Sequence, residues 1–569
     1  MRCFATAVAF ASFAVLCTAQ TPVVTWSQET MRLRSATVAA GTTANWNLTL
    51  VMEDDNANSA LGTSFRRAWH CQVGNLNPAG TTLQISVTNA GYTDIILPVW
   101  AQSTNGTTFG SYTRMPLASL PTLVGTTQHR FTLTVPAGVT AIRIAKYFPY
   151  SVSRKDAWLA TLAGNPKVRS ITSLGNSVQG RPIHKVELTD QTVPDAGKKR
   201  IWIHAGIHPS ETTSYFTVEG FVEWLLSGDP FAEVLLDQAL IELCPMVNPD
   251  GVFLGNYRTT ANSVNLENQW SSPYASTQPE IVALRAAIEG YMGTAASPGS
   301  NPIVVLLNMH SSHGVNYPFH FQHTANASWN AVSNNTGVIP VVNAVEGQWI
   351  VRFKARSPFV NLGTTQASAL TSRPFVESMC HDRWTAQNGW LNAPGLQQPV
   401  MAITFEGTYG RGPDTVTWNT EADYRLAGAQ MGQALFDQLG LTLTASLQSY
   451  GAACQTLAFT GGLVPQSNGS HIANLAFSGA SPNAIGVLAL GAQQVAVTLP
   501  APWATCTLLT SLDVTASFAF NGAGASSLAI GVPAASGLVA WLQAFALGVG
   551  QLPALPLDAS NGVRIRNEY

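Results

Sequence analysis

The chain has 569 residues, a net charge of -2 and only 11% charged residues, against about 25% in an average domain. It has no basic footprint, which argues against nucleic acid or an anionic membrane surface as partner. The length implies about three or four domains rather than one core.

The first stretch reads as a leader. Met1-Arg2 gives a positive start, residues 5–16 are apolar but too short to span a bilayer, and Cys17-Thr18-Ala19 offers small residues for cleavage. Residues 1–19 are therefore expected to be a signal peptide, and the protein to be secreted, extracellular or periplasmic. No later segment has the apolar length of a transmembrane helix. Of the cysteines beyond the leader, Cys454 and Cys506 share the last domain and are expected to be bridged. No two cysteines lie at C-x-x-C spacing, which argues against a cysteine metal site.

Residues 20–150 show short, turn-bounded apolar runs at 44–52, 69–73, 82–87, 94–100, 130–135 and 140–147. This predicts a β-sandwich. It contains no cluster of titratable groups that suggests chemistry, so its expected role is packing.

From 151 to 440 strands alternate with helices. Strands are predicted at 168–171, 182–188, 201–207, 239–246, 303–309 and 399–405, and helices from about 210, over 278–292 and over 421–439. The fold class is α/β: a doubly wound mixed-sheet catalytic domain flanked by N-terminal and C-terminal all-β domains. The long excursion over 315–398 is expected to shape a cleft. Residues 445–569, rich in Gly, Ala, Leu and Ser, read as a C-terminal β-rich domain without catalytic groups. Its removal near Thr444 is expected to leave the chemistry intact.

The organising stretch is R-I-W-I-H-A-G-I-H-P-S-E over 200–211, a buried strand leading through a turn into a helix. His208 and Glu211 flank that turn at the carboxyl edge of the sheet, where open α/β sheets bind their ligands. His310, in N-M-H-S-S-H-G, comes from the same edge. Two His and one Glu are a hydrolytic zinc set, leaving one position open for water. One zinc per chain is expected. Glu406, in A-I-T-F-E-G-T-Y-G, is placed as general base, and Arg258, in G-N-Y-R, as the charge for a developing oxyanion. His313, His320 and His323 follow His310 closely and are read as cleft-wall or loop residues. Tyr409 is expected to touch substrate.

H-P-S-E, N-P-D-G followed by G-N-Y-R, V-N-L, N-M-H-S and I-T-F-E-G appear in this order. Together they resemble the zinc metallocarboxypeptidases, nearest the cytosolic-carboxypeptidase-like branch, whose members carry a β-sandwich before the catalytic domain. Y-F-P-Y-S over 147–151 resembles the junction between the two. The resemblance covers roughly 41–440 and implies a metallopeptidase acting on peptide or related amide bonds.

One departure bears on the substrate. The family reads N-R where this chain has Glu267 and Asn268, and the family's Arg clamps the substrate's terminal carboxylate. Asn replaces neither the charge nor the fork of Arg. Arg411, just past Glu406, is a substitute cation. Two alternatives therefore stand beside the peptidase: an acylase or amidase on substrates lacking a free C-terminal carboxylate, and a non-catalytic binding protein that retains the fold.

Overall fold

Both faces of the central sheet are covered, so its strands are nearly continuous apolar runs. In strand Lys199–Ala205, Ile201, Ile203 and Ala205 face one core while Trp202 faces another. The computed structural model describes residues 20–41, 45–270, 273–312, 318–323, 340–361, 366–368, 375–384, 390, 400–443, 445–466, 470–533, 538–547 and 557–567. The expected leader and His313 lie outside them.

The central sheet has eight strands in the order Val168–Asn176, Pro182–Leu188, Ala239–Cys244, Lys199–Ala205, Ile303–Ser312, Met401–Thr408, Phe319–His323 and Gln366–Ser368. Its middle four are parallel, and antiparallel partners join on either side. The fold is thus the mixed, doubly wound α/β sheet the sequence implied. One face carries helices Thr213–Leu225, Pro230–Gln238, Pro340–Arg356 and Glu421–Gln438; the other carries Pro279–Met292 and Val376–Trp384. Helices Thr213–Leu225 and Glu421–Gln438 cross backbone to backbone. A Cβ on Gly220 would collide with the Arg425 carbonyl, and one on Gly428 with that of Thr217, so only glycine permits this approach.

Helix Thr213–Leu225 starts later than the expected residue 210. The residues before it form the turn that carries His208 and Glu211, and the Tyr215 hydroxyl donates to the Pro209 carbonyl at 3.1 Å.

The N-terminal unit has two five-stranded sheets packed around Leu48, Trp69, Ile85, Leu133 and Ile144. Strand Thr81–Thr88 alternates buried and half-buried residues along its whole length, as a sandwich strand should. The run at 94–100 forms strand only from Val99 onward, since Pro98 has no N–H to give a ladder. Strand Ser35–Ala40 and helix Val152–Leu162 escaped the sequence reading.

The described residues of the C-terminal unit form β-sheets of five, three and two strands. Cys454 and Cys506 form a disulfide. Among the described residues no helix is long and apolar enough to cross a membrane.

Candidate active site

Three strand ends deliver the central residues. His208 and Glu211 lie on the turn after strand Lys199–Ala205, and His310 lies near the end of Ile303–Ser312. Glu406 sits on Met401–Thr408, directly opposite His310 in the parallel register. Beside them helix Pro249–Phe253 is capped by the Asn248 side chain on the Gly251 N–H at 3.0 Å. Asp250 of the same N-P-D-G turn is tied to the Ser177 hydroxyl at 2.7 Å and the Gln179 N–H at 2.6 Å. The turn is a brace, and it holds the segment that leads to Arg258.

His208, Glu211 and His310 are all buried, with ligand atoms within 4.8 Å of one another. Glu211 places Oε1 2.8 Å from His208 Nδ1 and Oε2 2.7 Å from His310 Nδ1. The two Nδ1 atoms face each other at 3.1 Å. A neutral imidazole offers one lone pair and one N–H, so two nitrogens and a carboxylate converging on one buried point suit a cation. The outer nitrogens face oxygen atoms of neighbouring side chains. His208 Nε2 lies 3.1 Å from the Asn265 Oδ1 acceptor, and His310 Nε2 lies 3.4 Å from Glu267 Oε2. The first contact turns the His208 ring to keep its Nδ1 lone pair for the common point, and the second sets a carboxylate beside the His310 ring without a hydrogen bond. The residues therefore fit a zinc ion.

The electrostatics agree. Burial works against charge on His310, but Glu267 and Glu211 outweigh it and hold the imidazole well above its ordinary pKa. Burial lowers that of His208, helped by Arg258. Burial would raise Glu211, yet His208 and His310 hold it well below the usual carboxylate range. By itself the cluster gathers positive charge where a cation would sit. Burial, with Glu211 nearby, pushes the Glu406 carboxyl up to about 8. Opposite charge lowers a carboxyl pKa, so Glu406 beside a bound cation ionises more readily.

These residues open on a cavity of about 400 Å³, lined also by Arg258, Glu267, Phe319, Phe375 and Thr404. The Arg258 side chain is about one-quarter exposed, with Nη1 3.8 Å from Glu211 Oε1.

The expected substrate contacts are placed differently. Glu267 is buried, accepting from Asn308 Nδ2 at 3.0 Å and facing His310; it is a partner of the ligand set. Asn268 is exposed and does not line the cavity. Tyr409 is buried away from the cavity, donating to the Ser210 carbonyl at 2.8 Å and stacking on Tyr147 at 3.8 Å. Arg411 is exposed, donates to the Thr415 carbonyl at 3.2 Å and lies over Trp418. Neither Tyr409 nor Arg411 reaches the cavity. His320 is buried under Trp349, whose Nε1 donates to it at 3.2 Å, and burial drops its pKa to about 3. The strand that holds His323 is described, but its side chain is not.

The N-terminal sandwich, expected only to pack, reaches the site. Ser64, Phe65 and Arg67 line the same cavity. Asp55 is buried beneath Arg258, and burial pushes its carboxyl up to about 6 against the pull of the Arg258 and Thr259 N–H groups.

Comparison with known proteins bears on one part of the chain. A family profile described as zinc carboxypeptidase matches residues 156–372. This stretch is a zinc carboxypeptidase domain. The chain is 33% identical to mouse cytosolic carboxypeptidase 6 over 149 residues, 26% of this chain and 28% of that protein. It is 29% identical to mouse cytosolic carboxypeptidase 4 over 195 residues, 31% of this chain and 16% of that one. The chain thus spans less than a third of the length of these relatives. A metallo-carboxypeptidase from Burkholderia cenocepacia shares the fold, with a TM-score of 0.56 and 21% identity over 74% of this chain and 99% of that one. One from Pseudomonas aeruginosa, in complex with (2-guanidinoethylmercapto)succinic acid, gives 0.55 and 21% over 74% and 99%.

These relatives also correct the expectation of export. The carboxypeptidases that match the domain are named as cytosolic, which overturns the secreted or periplasmic placement read from residues 1–19. A short apolar run after a basic residue is a weak signal, because composition alone produces it.

Proposed function

We propose that the chain is a zinc-dependent hydrolase of metallocarboxypeptidase type, cleaving peptide or related amide bonds. The observation that carries this reading is the buried convergence of His208, Glu211 and His310 with Glu406 in register beside them. The three ligands would hold one zinc, which when bound polarises a carbonyl and acidifies water.

The chain's own residues supply the rest. Glu406 is placed to take a proton from the attacking water and return it to the leaving amine. Arg258 supplies positive charge for the oxygen that becomes anionic during attack. Asn265 holds the His208 ring by its outer nitrogen, and the Glu267 carboxylate faces that of His310. The partly apolar wall, with Phe319 and Phe375, limits water around the reacting bond and strengthens each of these charges.

A second reading, an amidase or acylase indifferent to a free C-terminus, draws on one observation. At the family's clamp position Glu267 turns to His310 and Asn268 points out to solvent.

The test is Glu406→Gln beside His208→Ala and His310→Ala. Glu406→Gln should keep stoichiometric zinc while turnover of a peptide library falls by roughly 10²-fold or more. The two histidine variants should lose zinc and keep the fold. Near-normal turnover in Glu406→Gln, or full zinc in both histidine variants, would refute the assignment.

A further inference from the structure

We propose that Asp55, on the N-terminal β-sandwich, is a positioning residue for the hydrolytic site, fixing the 257–259 backbone and through it Arg258. The inference rests on the role given to Arg258 above and extends the site to a residue outside the matched domain.

One carboxylate gathers three consecutive N–H groups from a segment some two hundred residues away. Tyr257 N–H donates to Oδ1 at 2.6 Å, and Arg258 and Thr259 N–H donate to Oδ2, each at 2.8 Å. Asp55 is 1% exposed. A buried carboxylate needs such donors, and three convergent N–H groups match its two oxygens. Asparagine in its place would turn an NH₂ against an N–H.

The neighbours of Asp55 lock the same segment. Asn56 stands at φ 54°, in the left-handed region that Asn tolerates. There its N–H donates to Asn256 Oδ1 at 3.1 Å, while Asn256 Nδ2 returns a bond to Asn56 Oδ1 at 2.9 Å. Asn56 Nδ2 also reaches the Thr260 carbonyl at 2.8 Å. Arg32 spans the junction, donating to the Asp54 and Leu254 carbonyls.

The consequence concerns the guanidinium. Arg258 reaches the cavity on a long side chain, and its head lies 3.8 Å from Glu211 rather than in a tight pair. The location of that head therefore depends on where the chain fixes its Cα. A shift of about 1 Å in a group that stabilises charge can cost about a hundredfold in rate.

The experiment uses the full chain with zinc bound, comparing Asp55→Asn alone, Arg258→Ala alone and both together. Hydrogen exchange at the amides of residues 257–259, zinc content, kcat and KM are measured. In Asp55→Asn the three amides should exchange at least about tenfold faster, zinc should stay stoichiometric, and kcat should fall about tenfold or more with KM within a factor of about three. In the Arg258→Ala background the same change should cost less than about twofold, because its effect passes through Arg258. Equal losses in both backgrounds, or unchanged exchange at 257–259, overturn the proposal. Should Asp55→Asn fail to fold, Asp55→Glu keeps the charge, displaces it by one methylene and is held to the same criteria. A wild type without turnover refutes the hydrolase reading; exchange at 257–259 then still decides whether Asp55 holds the segment.

Discussion

The two all-β units meet the catalytic sheet at opposite edges. The N-terminal unit docks at the carboxyl ends of the parallel strands, places Ser64, Phe65 and Arg67 in the cavity wall, and sets Asp55 under Arg258. The C-terminal unit docks beside Asp190, Glu233 and Asp237. Asp237, in the last turn of helix Pro230–Gln238, lies two residues before strand Ala239–Cys244, so this contact lies at the strands' amino edge. None of the described C-terminal residues lines the cavity. In an open α/β sheet the carboxyl edge binds ligand, so a unit added there becomes part of the site while one added at the other edge bears on stability.

The C-terminal contact is a buried ion network. Arg564, 2% exposed, donates to Asp190 and Glu233 at 2.7 and 2.8 Å and forks onto Asp237 at 2.7 and 2.9 Å. Lys167 shares Asp190 and Glu233, and Arg566 shares Asp237 at 2.7 Å. Burial opposes ionisation of Asp190, but Lys167 and Arg564 hold it below the usual carboxylate range. Removal near Thr444 is expected from the sequence to leave the chemistry intact, since no proposed catalytic residue lies beyond it; the network adds that the fold has a stake in those residues. Deleting 445–569 removes both arginines and leaves Asp237 without the cations it faces. The largest effect is therefore expected here: little soluble, folded protein, measured by yield and thermal melting. A truncated chain that folds and turns over normally would erase the contrast between the two units.

A gentler break should separate stability from chemistry. Arg564→Met keeps the bulk and deletes the charge. Removing one member of a buried ion network costs about 3–5 kcal/mol, and Lys167 and Arg566 should keep the loss toward the lower end. Denaturant titration should show that loss, while kcat/KM per folded molecule stays within about twofold. A matching fall in kcat/KM would mean that the amino edge communicates with the site.

The sequence made one side of this contrast legible and hid the other. His208, Glu211, His310 and Glu406 stood out because each is a titratable residue at or just past the carboxyl end of a buried apolar strand. Asp55 did not. Its partners are backbone N–H groups two hundred residues away, and a backbone donor has no sequence signature. Tyr409 and Arg411 misled by proximity. After Glu406 the chain turns toward the sandwich, burying Tyr409 against Tyr147 and leaving Arg411 on the surface. Glu267 was read against a family pattern as a group facing substrate; it lines the cavity and at the same time faces His310 Nε2. A motif gives position along the chain but not the direction in which a side chain points.

Asn56→Ala tests the other junction. It removes the bonds to Asn256 and Thr260 and places alanine at a positive φ. Each lost bond contributes about 0.5–1.5 kcal/mol, and alanine tolerates that backbone poorly. A total of about 2–3 kcal/mol is expected by denaturant titration, accompanied by a several-fold fall in kcat. The pair Asn56→Ala and Arg564→Met thus cost similar stability at the two edges. Only the first should slow turnover.

The smallest effect concerns the end of the substrate. Among the described residues two arginines line the cavity, Arg258 beside Glu211 and Arg67 on the sandwich. Arg67 is only loosely held, its Nη1 3.3 Å from Asp94 and its Nε donating to the Ser64 carbonyl at 3.1 Å. Asp94 also pairs with Lys146 at 3.0 Å, so these three side chains keep a net positive charge. With Asn268 turned to solvent, Arg67 is, among the described residues lining the cavity, the cation left to meet a terminal carboxylate away from the reacting bond. A side chain held at one point lacks the fixed two-pronged geometry that makes an Arg–carboxylate pair strong. Matched peptide acids and amides should therefore differ in kcat/KM by less than about tenfold, or about 1.4 kcal/mol. Arg67→Gln should bring the ratio close to one without changing turnover of the amide. If the wild type prefers the acid by about a hundredfold and Arg67→Gln keeps that preference, the carboxylate is gripped by a group other than Arg67. The N-terminal wall would then shape the cavity without reading the substrate, and its contribution would reduce to the hold of Asp55 on Arg258.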